Sequence, residues 1–239
     1  MTNILVYQMG KVGSVSIQVA LRHKGLHAIH AHWMQGGGEY PTTKEQLAED
    51  IKSGEKDNWK VISLVREPVA RNVSAFFQGI EKYYSNYKEY KYKEAVLEDF
   101  LQNYNHQWPE LWFDEEIMDV FDFDPFSTRF NYNEGYQIYE VERGEILIIR
   151  LEDADRVVPK AMEEFLGLED VKMARSNAFI KRHNGTRVGK IYEEFMEIAE
   201  LPEDFLDEMY DMRHAKHFYS KKELKNFKDW WSDNDKRTR

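Results

Sequence analysis

Between residues 8 and 16 the chain reads QMGKVGSVS, a stretch that offers backbone N–H groups, one ammonium and two hydroxyls to a single anion. Before it stands NILVYQ, short and apolar, and after it SVSIQVALRHKG, whose apolar positions recur at helical spacing. A strand, a tight loop and a helix are predicted. The start of such a helix carries unpaired N–H groups and the positive end of the macrodipole, which together receive anions. Gly10 and Gly13 let the backbone come close to the anion, Lys11 adds charge, and the Ser14 and Ser16 hydroxyls can donate to its oxygens. Without a ligand, the same residues make a glycine turn with a solvated lysine.

A second candidate anion site follows the buried strand expected from WKVISLV at 59–65. In VREPVARNVSAFF, Arg66 stands at the carboxyl edge of the sheet, where open α/β sheets bind ligands. Ser74 lies two turns into the next helix as a neutral donor, and Arg71 adds further charge. Arg66 could instead pair with Glu67. Pro68 suits the first turn of that helix, since its missing N–H would be unpaired there anyway. The first loop follows neither G-x-x-x-x-G-K-[ST] nor G-x-G-x-x-G, so neither an ATP loop nor a dinucleotide fold is supported. In HAIHAHW at 27–33, His30 and His32 share one face of a period-two strand, and His32 ends it beside the loop. Histidine is the side chain suited to general base work near neutral pH. His183, His214 and His217 could suggest a metal, but no carboxylate completes a recognisable set, so no metal is expected.

The elements that must position these residues alternate strand and helix over the first 80 residues. That pattern predicts an α/β fold, a central parallel sheet flanked by helices. A strand is expected at 26–32, a helix capped by Thr43, a strand pair from YQIYEV to ILIIR, and helices over 154–166, 188–200, 203–218 and 221–231. Residues 83–135 are aromatic and charged and predict a helical insertion, with one helix starting at Pro109. The stretches KYYSNYKEYKY and NHQWPELWF within it could stack on sugar rings or serve as amphipathic core. One domain over 1–239 is expected, with a frayed tail at 232–239. A net charge of −10 argues against nucleic-acid binding. The absence of Cys excludes disulfides and thiolate metal sites, and no secretion signal or membrane span is legible, so a cytoplasmic protein is expected.

QMGKVGSVSI resembles the 5'-phosphosulfate loop of the sulfotransferases, and REPVARNVSAFF resembles their 3'-phosphate motif, an Arg followed by a Ser eight residues later. ILIIRLEDADRVVPKAMEEFLGL is similar to the strand and helix that follow in bacterial carbohydrate sulfotransferases, and HAKHFYSKKELKNF to the C-terminal region of capsular polysaccharide sulfotransferases. The resemblance implies a P-loop-like sulfotransferase fold that takes 3'-phosphoadenosine 5'-phosphosulfate (PAPS) as donor and releases adenosine 3',5'-bisphosphate (PAP). Gly10, Lys11, Val12, Gly13, Ser14, Val15, Ser16 and Ile17 would cradle the 5'-phosphosulfate, and Arg66 and Ser74 would hold the 3'-phosphate. The basic loop KRHNGTR supplies Lys181, Arg182 and Arg187 as further candidates for the nucleotide. Lys11 is the expected electrophilic partner of the leaving oxygen, and His32 the expected base, with Glu39 as the alternative. The acceptor would be a hydroxylated small molecule or glycan. Rival readings are a P-loop-type small-molecule kinase, which needs a metal-binding carboxylate where VISLVRE has Arg66, and a non-catalytic nucleotide-binding module.

Overall fold

The computed structural model describes residues 3–34, 44–54, 57–84, 87–89, 93–173 and 183–233 of the 239-residue chain. Its contacts cluster into two compact units, Met1–Arg66 with Trp108–Arg175, and Glu67–Gln107 with Ser176–Arg239.

The first unit is built on a five-stranded sheet. Its strands are β1 (Asn3–Tyr7), β2 (Ile29–Ala31), β3 (Trp59–Val65), β4 (Tyr136–Val141) and β5 (Gly144–Arg150), in the order β2-β1-β3-β5-β4. β1, β2, β3 and β5 run parallel. β4 is antiparallel to β5, so the central parallel strands carry an antiparallel edge formed by the strand pair expected from YQIYEV to ILIIR, and the sheet is mixed. The reason is local: only Glu142 and Arg143 separate β4 from β5, and a two-residue connection can join antiparallel strands only. The central strands are near-continuous apolar runs, with Leu5, Val6, Val61, Ile62, Ile146, Leu147 and Ile148 all buried, as strands covered on both faces require.

Helix α1 (Ser14–His23) packs on β1, and α7 (Ala154–Leu166) packs on β5 and β4. Between them in sequence come α2 (Glu45–Ser53), the unit-two helices α3 (Pro68–Tyr83) and α4 (Lys93–Asn103), then α5 (Trp108–Trp112) and α6 (Asp119–Phe121). A wider π-helical turn, Phe113–Met118, makes α5 and α6 one continuous helix from Trp108 to Phe121. The expected start at Pro109 is thus one residue late. Strand β2 is shorter than the expected 26–32, and Thr43, the expected cap of α2, lies outside the described residues.

The second unit is helical: α3, α4, α8 (Arg187–Ile198), α9 (Glu203–Asp211), α10 (Arg213–Phe218) and α11 (Lys221–Ser232). Its core gathers Val73, Phe76, Phe77, Phe100, Phe195, Leu206 and Trp231. Glu67 caps α3 by accepting from Val69 N–H at 2.9 Å and Ala70 N–H at 2.7 Å, with Pro68 in the first turn as expected. The same buried carboxylate accepts from the Tyr210 hydroxyl at 2.6 Å and Trp231 Nε1–H at 3.4 Å. The helix expected over 203–218 is broken at Met212, whose φ of −54° and ψ of 145° are extended. Neither Gly nor Pro marks the break in the sequence. Residues 234–239 of the expected tail lie outside the described residues.

Candidate functional site

β1 stops pairing at Tyr7, and Gln8 carries its work one residue further. The Gln8 N–H donates to Ala31 O at 3.3 Å, and its buried side-chain Oε1 accepts from Leu64 N–H at 2.9 Å, so the loop departs from a point tied to both neighbouring strands. The backbone then turns through left-handed conformations at Lys11 (φ 74°) and Gly13 (φ 96°), and α1 begins at Ser14. This helix start has no side-chain cap and no acidic residue in its first turn, leaving its positive end uncompensated by carboxylates of its own. The Ser16 and Ile17 N–H groups turn back to Gly13 O at 3.0 and 3.4 Å. Val12 and Ile17 are buried and anchor the loop, Ser14 is buried, Ser16 is half-buried, and Val15 is exposed.

The two loop glycines serve different ends. A Cβ on Gly10 would meet nothing within 4 Å, whereas one on Gly13 would lie 2.9 Å from Leu151 Cδ1 and 3.3 Å from Met173 Cε. Gly13 is therefore required by its positive φ and by the side chains beneath it, a structural demand beside any ligand's. Gly13→Ala is expected to cost about 1–3 kcal/mol from backbone strain alone, read as a Tm lowered by several degrees in thermal unfolding; an unchanged Tm would contradict this geometry.

Arg66, directly after β3, donates from Nη1 to the Lys11 carbonyl at 3.3 Å. The parallel register that pairs Val6 with Ile62 sets the ends of β1 and β3 side by side, which brings this guanidinium to the loop. A second arginine at the same sheet edge, Arg150, is register-paired with Val65 but buried and held by Asp153, its Nε–H donating to Oδ2 at 2.6 Å. Two of the sequence candidates, Lys11 and Arg66, thus meet at one carboxyl edge.

His32 is the third residue at this edge. Its Nδ1 lies 2.7 Å from Gln8 O, and because a carbonyl only accepts, Nδ1 carries the proton and Nε2 keeps the lone pair in the neutral ring. The His30 and His32 rings meet edge to face at 4.5 Å, as the shared strand face predicts. Burial, reinforced by His32 and Lys44, lowers the His30 pKa to about 4, so His30 is neutral at neutral pH. Just beyond, the helix Trp108–Phe121 grips the chain: Trp112 Nε1–H donates to His32 O at 2.7 Å, and the buried Glu116 carboxylate accepts from Met34 N–H at 2.8 Å and from the Tyr7 hydroxyl. Trp33 and Trp108, both half-buried, contact edge to face at 4.9 Å. Gln8, Trp112 and Glu116 were not singled out in the sequence; Trp112 lies in an aromatic stretch noted there, but nothing in DEEIMD marks one carboxylate as buried.

The remaining candidates are placed elsewhere or not described. Ser74, Arg71 and Arg187 belong to the second unit. Ser74 is half-buried on α3 and Arg187 is exposed at the start of α8. Arg71 is buried, donating from Nη1 to Asn72 Oδ1 and the Tyr104 hydroxyl, both at 3.0 Å. Glu39, Lys181 and Arg182 lie outside the described residues. Among the described residues, no group of three or more His, Cys, Asp or Glu could hold a metal ion, and no helix is long and apolar enough to cross a membrane.

Strands with a glycine loop, Lys11, Arg66 and His32 at their carboxyl edge define an open-sheet α/β protein with its candidate ligand site in the usual place. A family model described as "Putative capsular polysaccharide synthesis protein" matches residues 87–220, more than half the chain, and the chain belongs to that family. The matched region contains Trp108, Trp112 and Glu116 but not the loop, His32 or Arg66. Comparison with curated proteins and with solved structures gave no match.

Proposed function

We propose that the protein is a sulfotransferase that moves a sulfuryl group from PAPS to a hydroxyl of a saccharide during capsular polysaccharide synthesis. The observation that carries this reading is the meeting of Lys11, Arg66 and the uncapped start of α1 at one sheet edge, with His32 bonded to the first residue of the same loop. The donor set suits the nucleotide: a lysine, an arginine, two serines and a helix start, with no carboxylate in the first turn. The bound donor would supply the activated sulfate.

The chain's own residues do the rest. α1's N-terminus and Lys11 hold the transferring group and neutralise charge growing on the bridging oxygen. Arg66 holds the 3'-phosphate, the group that separates this donor from ATP. His32, protonated at Nδ1, takes the acceptor hydroxyl's proton at Nε2. Trp33 and Trp108 offer aromatic edges beside the base for a sugar ring. The reading also places the protein in the cytoplasm.

Calorimetric titration with PAP, beside ADP and magnesium-ATP, tests the donor. PAP is expected to bind selectively, and Arg66→Ala to weaken it by about 1.5–3 kcal/mol, the worth of a charge-assisted contact. Selective ATP binding would replace this reading with a kinase. PAP binding with no transfer to any saccharide would leave a nucleotide-binding module.

A further inference from the structure

The residues that the helix Trp108–Phe121 sets against the chain after β2 fall at four-residue intervals: Trp108, Trp112 and Glu116. They reach three consecutive residues. Trp108 meets the Trp33 ring at 4.9 Å, Trp112 donates to His32 O at 2.7 Å, and Glu116 accepts from Met34 N–H at 2.8 Å. A four-residue step advances around a regular α-helix, and the wider turn at Phe113–Met118 offsets that advance, so the three side chains stay on one side. The grip is also tied to the sheet. The Tyr7 hydroxyl donates to Glu116, and the Tyr7 and Trp112 rings meet at 5.2 Å.

The His32 ring is thereby fixed from two directions: its Nδ1 on the Gln8 carbonyl at 2.7 Å, its backbone on Trp112. Trp112 is fully buried and Glu116 is 1% exposed, so neither has a solvent role that would account for it. A buried carboxylate is costly unless its hydrogen bonds are made, and here two of them fix backbone and hydroxyl beside a candidate base.

We propose that Trp112 and Glu116 are positioning residues that hold the His32 imidazole in register with the loop at residues 8–16, which rests on the reading of His32 as the base of the transfer. They touch no substrate. They act by fixing the backbone from which His32 projects, and a small displacement of a catalytic group lowers rate far more than it lowers affinity.

The test uses the full chain with histidine-selective 15N labelling, comparing the parent with Trp112→Phe, which keeps a ring but loses the N–H donor. Glu116→Ala, which removes both hydrogen bonds, and Glu116→Gln, which retains an oxygen to accept them, provide a second, independent pair. At a pH where the ring is neutral, parent His32 is expected as the single Nδ1–H tautomer. In Trp112→Phe and Glu116→Ala it becomes a tautomer mixture while the histidine signals other than those of His32 and its neighbour His30 stay in place, and Glu116→Gln restores the parent pattern. Turnover is expected to fall about tenfold or more in Trp112→Phe with PAP affinity unchanged, and to fall no further when the same change is made in His32→Gln. Unchanged His32 signals in both Trp112→Phe and Glu116→Ala, or rate losses that multiply in the double variant, would overturn the proposal. A parent protein that transfers no sulfuryl group would overturn the reaction instead, and the tautomer comparison would still decide whether the helix positions His32.

Discussion

Lys11→Ala is expected to lower turnover by about 10²–10³-fold while leaving PAP affinity within severalfold of the parent, measured by single-turnover transfer and calorimetry on the same preparation. The magnitude is that of removing one preorganised group aimed at charge that develops only in the transition state. Lys11 sits at the turn of the loop, its carbonyl fixed by Arg66 at 3.3 Å, so the ammonium starts from an anchored backbone. The split between turnover and affinity is diagnostic: an ammonium that merely attracted the nucleotide would weaken binding and leave turnover alone. Turnover within about threefold of the parent would remove Lys11 from the chemistry.

Acid is expected to unfold the second unit's core through His214. That side chain is fully buried, and burial, with the nearby charges of His217 and Arg71 adding to it, lowers its pKa to about 3. The unfolded chain takes up the proton near pH 6.5, so it binds more protons than the folded chain between pH 6.5 and about 3. Stability is therefore full above the unfolded value and falls as pH drops through that window, by on the order of 4 kcal/mol. Urea unfolding at pH 8, 6, 5 and 4 should show it. His214→Leu, which cannot titrate, should flatten the dependence, and a parallel slope in both proteins would show that acid acts elsewhere. His30, lowered to about 4 but half-exposed, adds a smaller change of the same sign.

What the sequence made legible was local. The strand, loop and helix of residues 3–23 depend on neighbours in the chain, and apolar period, glycines and hydroxyls announced them; so did the arginine at the end of β3 and the shared face of His30 and His32. What stayed hidden was long-range. The Trp112 and Glu116 bonds span 80 and 82 residues, and no periodicity connects DEEIMD to the end of β2. The same holds for Arg71, whose charge in a basic motif suggested a ligand but whose guanidinium is taken by Tyr104, 33 residues on. The Met212 break went unseen because an extended residue between two helices needs no glycine or proline when the surrounding core holds it. The β4–β5 pair, by contrast, was legible as a strand pair, since ERGE is too short for any crossover.

Position 11 also bears on how this loop could have evolved. A residue with a β-carbon at a φ of 74° is held in a conformation that glycine or asparagine adopts more readily, and it costs about 1 kcal/mol. Selection for folding alone would drift this site toward glycine. If Lys11 acts as proposed, relatives without the activity would be free to carry glycine here and relieve that cost.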